Sequence, residues 1–219
     1  MGLLSVAASA QTTPCIDIAD EPNHQLLYQN HAVRIFQLDL AGSKSTEEFC
    51  VAHPYLRLIV SEGRTSDVVT AEVTYGRNWK AGEAHFVYQP KRKAIRNETA
   101  LAFREYDIET LHPVDFNPLY DINSDIDLLY GEPSINSNHM ITAVRGSLTL
   151  TKTALETGDQ LLVGEGSHLI VALTTVKLSY GKDKHISLEK GEAVRVPDAS
   201  TYALKNDGTR QVSFIVVEF

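Results

Sequence analysis

Gly82-Glu83-Ala84-His85-Phe86-Val87-Tyr88-Gln89-Pro90-Lys91-Arg92-Lys93-Ala94-Ile95-Arg96-Asn97 returns without a gap as Gly191-Glu192-Ala193-Val194-Arg195-Val196-Pro197-Asp198-Ala199-Ser200-Thr201-Tyr202-Ala203-Leu204-Lys205-Asn206. The offset is a constant 109 residues, and it still holds at Glu109 and Glu218. A period that long marks one domain present twice rather than a short solenoid unit. Around both copies apolar and polar residues alternate, as in residues 33–40, 56–60, 103–108 and 213–217, with turn glycines between the runs. Period two is the pattern of strands, and many short strands between turns make a sandwich or a barrel. The chain reads as all-β.

With 219 residues, 43% of them hydrophobic, it can build one large or two small cores. A net charge of −8 and a pI near 5.5 argue against nucleic acid and anionic membrane surfaces as partners. No apolar run reaches the roughly 18 residues of a membrane span. Residues 1–20 read as a signal-peptide remnant and N-terminal arm: a short apolar segment, then Ala8-Ser9-Ala10 before Gln11, the small-x-small pattern of a cleavage site. Read so, the segment implies export, to a secreted or periplasmic location; the alternative is a disordered N-terminal tail. Export would let the two cysteines, Cys15 and Cys50, form a bridge; the alternative is two unrelated thiols.

Between the copies, residues 112–138 carry three prolines and five acids, with no Lys or Arg. The stretch reads as an acidic, irregular linker joining a first domain (21–111) to a second (139–219). Within it Asp121, Asn123, Asp125, Asp127 and Glu132 match the ligand spacing of a twelve-residue calcium loop. Ile126 stands where such a loop needs Gly, so a solvated linker is the preferred reading.

With the repeat and the strands in place, the chain resembles the cupins, and among them the bicupins, two small jelly-roll barrels in tandem. The resemblance rests on residues 26–40, on His53-Pro54-Tyr55-Leu56-Arg57 and on the two Gly-Glu-Ala…Asn segments. It implies a site of three His and one Glu around a divalent metal, a compact N/O set suited to first-row ions. This sequence departs from that pattern. The last His position is Lys93 in copy one and Tyr202 in copy two. The His-x-His positions fall on Glu48 and Cys50 in one register, or on Phe49 and Val51 in the other. The Glu position falls on Tyr55 or Leu56, with His168 near it in copy two.

An ammonium at a ligand position repels a divalent cation. The expected function is therefore that of a metal-free, non-catalytic small-molecule-binding or structural module, with no cofactor. One candidate pocket has Lys93 paired with Glu48, helped by Tyr55, Arg57 and Lys91-Arg92, for a small or anionic ligand. The other has Tyr202, His168 and Arg195. In a structural module Phe49, Val51, Tyr88 and Tyr202 fill the barrels, and His85, His112, His139 and His185 are surface or loop residues. The alternative is a metal-dependent enzyme of dioxygenase or isomerase type with a rearranged site of Glu48, Cys50, His53 and His168. Strand alternation sets His53 on the face opposite Glu48 and Cys50, against that alternative. Open sheet edges suggest a homodimer.

Overall fold

The computed structural model describes residues 15–69, 72–87, 91–111, 126–127, 141–145 and 148–219. Its first half holds β1 (Ile16–Asp17), β2 (His24–Gln29), β3 (Val33–Leu40), β4 (Phe49–Val51), β5 (Tyr55–Ile59) and β6 (Gly63–Val69). These are followed by β7 (Glu72–Trp79), β8 (Ala84–Val87), β9 (Lys91–Asn97), β10 (Phe103–Thr110) and β11 (Ile126–Asp127). The second half holds β12 (Ile141–Arg145), β13 (Leu148–Leu155), β14 (Gln160–Val163), β15 (Gly166–Ala172) and β16 (Val176–Tyr180). It ends with β17 (Lys184–Leu188), β18 (Ala193–Ala199), β19 (Tyr202–Asn206) and β20 (Val212–Glu218). One 3₁₀ turn, Ile18–Asp20, interrupts the strands.

Each half is a pair of facing sheets. The first has the orders β1-β4-β9-β6-β7 and β11-β8-β5-β10-β3-β2, the second β12-β13-β20-β15-β18 and β14-β19-β16-β17. Two tandem jelly-roll barrels result, as the sequence pattern predicts. The linker reading needs one adjustment, because Ile126–Asp127 within it forms β11, paired antiparallel with Phe86 and His85 of β8. Residues 1–14, with the leader reading, and the rest of the linker lie outside the described residues.

The repeated residues earn their places in the backbone. Gly82 and Gly191 take left-handed φ of 82° and 85°, and their N–H groups donate to Ile59 O and Ala172 O, both at 2.8 Å. The neighbouring glutamates cap the same turns, Glu83 accepting from Lys80 N–H at 3.3 Å and Glu192 from Glu189 N–H at 2.9 Å. Asn97 donates to Leu40 O and Leu101 O, and Asn206 to Leu155 O and Arg210 O, latching the turn before β10 in one barrel and before β20 in the other.

The two barrels share one apolar seam. Leu56 and Leu58 of β5, Ala84 and Phe86 of β8, and Tyr106 and Ile108 of β10 pack against Leu148, Leu150, Leu169, Val171, Ile215 and Val217. The seam has pseudo-twofold character: the Gly82 turn lies against Leu173, the Gly191 turn against Val60, and those two residues are equivalent in the copies. Tyr106 Oη closes it by donating to Gly191 O at 3.0 Å.

A Cβ on Gly82 would come within 2.7 Å of Leu173 Cδ1 and 2.9 Å of Lys152 Nζ, whereas one on Gly191 meets nothing nearer than 3.8 Å. Gly191→Ala should therefore cost only the left-handed strain, about 1–2 kcal/mol. Gly82→Ala should cost that plus an overpacking penalty of about 1–3 kcal/mol. Denaturant titration of the two variants checks the ordering.

Candidate functional site

Alternation along β5 and β10 decides what enters barrel one. With Leu56, Leu58, Tyr106 and Ile108 committed to the seam, Tyr55, Arg57, Glu105, Asp107 and Glu109 must point inward. On the facing sheet β4 turns Phe49 and Val51 inward and β9 turns Lys93 inward, with Phe49 and Lys93 directly paired. The two-register question for the His-x-His positions is thus resolved: Phe49 and Val51 face the interior, and Glu48 and Cys50 do not.

The interior is charged. Arg57, 1% exposed, binds both Glu105 oxygens through Nε and Nη2 at 2.9–3.2 Å and Asp67 Oδ1 through Nη1 at 3.3 Å. Its guanidinium carbon lies 5.2 Å from the Trp79 ring centre. Lys93, also 1% exposed, brings Nζ to 3.7 Å from Asp67 Oδ2 and 5.1 Å from the Tyr55 ring centre. Burial, then the Arg57 charge, pushes the Lys93 amine below its ordinary value, and the acids around it oppose this. Burial likewise drives the Tyr55 phenol well up. His24 enters from β2, its Nδ1 2.6 Å from Glu21 and its Nε2 3.3 Å from Asp107.

Barrel two holds an equivalent set in apolar surroundings. Tyr55 pairs across the sheet with Glu109, and His168 pairs with Glu218 in the same place. His168 is fully buried, packs edge-on against Tyr202 at 5.4 Å, and sets Nε2 3.8 Å from Glu218. Burial lowers its pKa. Tyr202, raised to about 12 by burial, also touches Tyr180. A crevice of about 50 Å³ is lined by Thr149, Thr151, Gly164 and Glu218.

Several sequence expectations need correction. Glu48 does not pair with Lys93; it shares the outward face of Arg92 and bonds to it. Arg57 is neutralised by Glu105 and Asp67 rather than held open for an anion. Cys50 is bonded to Cys15, with Cα atoms 5.7 Å apart, so it is no thiolate ligand. His53 sits on the loop before β5, its backbone N–H donating to Glu109. With His168 in the other barrel, Glu48, Cys50, His53 and His168 do not converge, and the rearranged metal site falls. Arg195 faces the seam, 4.2 Å over the Tyr28 ring, not the pocket of Tyr202 and His168. His85 is not a surface residue but is buried beside Tyr75 and Trp79. Phe49, Val51 and Tyr202 are interior as expected, and Tyr88 lies outside the described residues. So do Asp121, Asn123, Asp125 and Glu132, whereas Asp127 is paired in β11.

The sequence reading missed Asp67, Asp107, Glu105, Glu21 and His24. The i, i+2 run of Glu105, Asp107 and Glu109 on one strand face was the available signal. The donor set does not fit a divalent metal. Barrel one offers an ammonium, a phenol and two apolar side chains at the positions the resemblance assigns to ligands, and barrel two a single imidazole with a phenol. Among the described residues no group of three His, Cys, Asp or Glu is arranged to hold an ion.

His24 supplies a pH signature. Burial alone would lower its pKa, but the bonds to Asp107 and Glu21 raise it, while the Glu21 carboxyl is lowered by His24 and Asn23 against its own burial. The His24 contribution is complete below its unfolded pKa of about 6.5 and is lost as pH rises through the higher folded value. The Glu21 contribution is lost as pH falls through its depressed one. Melting temperature should thus fall as pH rises from about 6.5 through the raised His24 pKa, and level off above it. His24→Gln should flatten that limb and cost about 3 kcal/mol by leaving two buried acids uncompensated; thermal melts across pH check both.

No family model matches the sequence, and no curated protein is similar to it at the level of sequence. Solved structures are similar in fold. AerE from Microcystis aeruginosa matches with a TM-score of 0.60 at 11% identity, over 90% of this chain and 97% of that one. A cupin 2 conserved barrel domain protein from Leptotrichia buccalis matches with 0.60 at 14% identity, over 94% and 91%. A salicylate 1,2-dioxygenase from Pseudaminobacter salicylatoxidans matches with 0.58 at 13% identity, over 87% and 72%. At such identities the likeness carries the fold and nothing finer, and it agrees with the repeat, the sheet orders and the seam: the chain is a two-barrel protein of the cupin fold.

Proposed function

We propose that the chain is a metal-free bicupin, a non-catalytic module that takes a small molecule into its barrel interior. The observation that carries this reading is Lys93. Its ammonium reaches the barrel interior from the position where the family resemblance expects a metal-binding His, close to the Asp67 carboxylate. It supplies there the positive charge that a divalent ion would otherwise bring to the interior acids. A metal brought to the same place would meet Lys93 and Arg57.

The Cys15–Cys50 bridge supports a second part of the proposal, export to an oxidising compartment. Thiol titration of protein taken from that compartment should find no reactive thiol before reduction. Self-association is a third part: edge strand β2 leaves Leu26 and Leu27 about 40% exposed, and open edges invite pairing. Sedimentation velocity of Leu26→Lys should then give a smaller species than the parent chain.

The central test is elemental. After dialysis against metal-free buffer, plasma mass spectrometry should find no stoichiometric transition metal. Added manganese, iron, nickel or zinc should leave the melting temperature in place, whereas a site loaded at a hundred times its Kd would add about 2.7 kcal/mol. A stoichiometric metal overturns the proposal.

A further inference from the structure

Among the described residues, three polar atoms in the interior of barrel one are buried without a hydrogen-bond partner: Tyr55 Oη, Lys93 Nζ and Asp107 Oδ1. Barrel two repeats the pattern at the equivalent positions with His168 and Tyr202 Oη. Folded proteins leave few such groups, because each forfeits its bonds to water. Orphans gathered at matching places in both barrels call for a partner from outside the chain. In barrel one the neighbouring groups cannot supply it. Arg57 is taken up by Glu105 and Asp67, and Asp67 stands at 3.7 Å from Lys93, beyond hydrogen-bond range.

Charge and donor pattern restrict that partner. The interior acids are Glu21, Asp67, Glu105, Asp107 and Glu109; the cations are His24, Arg57, Lys93 and Arg34, the last paired with Glu109. Acids exceed cations by one, so an added anion would deepen an existing excess. An added cation would meet Lys93 and Arg57. A hydroxyl group suits all three orphans, accepting from Lys93 and Tyr55 and donating to Asp107. The Phe49 ring, in register beside Lys93, gives such a molecule an apolar wall. We infer that barrel one binds a neutral polyhydroxylated small molecule whose hydroxyls bridge Lys93 Nζ, Tyr55 Oη and Asp107 Oδ1. The inference rests on the metal-free reading above.

The test is saturation-transfer NMR on the full, metal-depleted chain with glucose and myo-inositol as probes, and with phosphate and acetate as competitors. Saturable transfer to a polyol is expected, undisturbed by either anion. Tyr55→Phe removes only an unpaired oxygen, so the ligand-free variant should melt no lower than the parent. Its polyol affinity should nevertheless fall about threefold to tenfold. Lys93→Met should weaken binding by about tenfold or more. A merely structural tyrosine would not separate stability from affinity in this way. Absence of polyol binding, displacement by an anion, or unchanged affinity in both variants overturns the inference. Elemental analysis of the same sample separates the two failures: a stoichiometric metal sinks the metal-free reading itself, and a metal-free sample without polyol binding sinks the ligand class alone.

Discussion

The architecture depends on β5 and β10 having no solvent face. One side of each strand is committed to the seam and the other to the interior of barrel one, so every residue of Tyr55–Ile59 is buried. An alternating strand ordinarily disposes of its polar half in water. Here the polar half has nowhere to go but inward, where Arg57 meets Glu105 and Asp67, and Asp107 meets His24. A buried ion pair of this kind adds little net stability beside an apolar replacement, yet losing one partner is expensive. The seam thereby dictates the chemistry of the barrel behind it.

The two barrels answer that demand differently. Barrel two fills its interior with Ile170, Leu178, Leu204, Phe214 and Val216, leaving His168 and Tyr202 as isolated polar groups near Glu218. Barrel one has an apolar rim of Phe36, Leu38, Phe49 and Val87 beside a continuous charged set. Copies of one backbone, latched by the same Asn and the same Gly-Glu turn, therefore hold interiors of opposite electrostatic character. The backbone devices repeat because the turn geometry is the same. The interiors differ because side chains there answer only to each other.

The fold was legible because strand period and turn residues are local signals, and the gapless run from Gly82 to Asn97 tied them into a repeat. The site was legible only where that run extends. Lys93 and Tyr202 fell on equivalent positions at once, but upstream the register drifted: Ile59 and Ala172 are equivalent, as their matching bonds to the Gly-Glu turns prove, yet they stand 113 residues apart instead of 109. The difference is the β6–β7 hairpin, longer than β16–β17. That shift left Tyr55 and Leu56 as rival partners for His168 at the Glu position. Arg195 was misplaced for another reason, since strand alternation tells two faces apart but not which one meets a second domain. Glu105 and Asp107 escaped because a run of acids on a strand looks like a solvated face until the packing on its other side is known.

The disulfide has a reach beyond the strands it joins. Cys15 and Cys50 hold β1 beside β4, and the arm continuing from β1 delivers Glu21 and His24 to Asp107. Reducing that bridge would therefore reach past the barrel edge, because it would free the start of the arm whose Glu21 and His24 hold Asp107 inside.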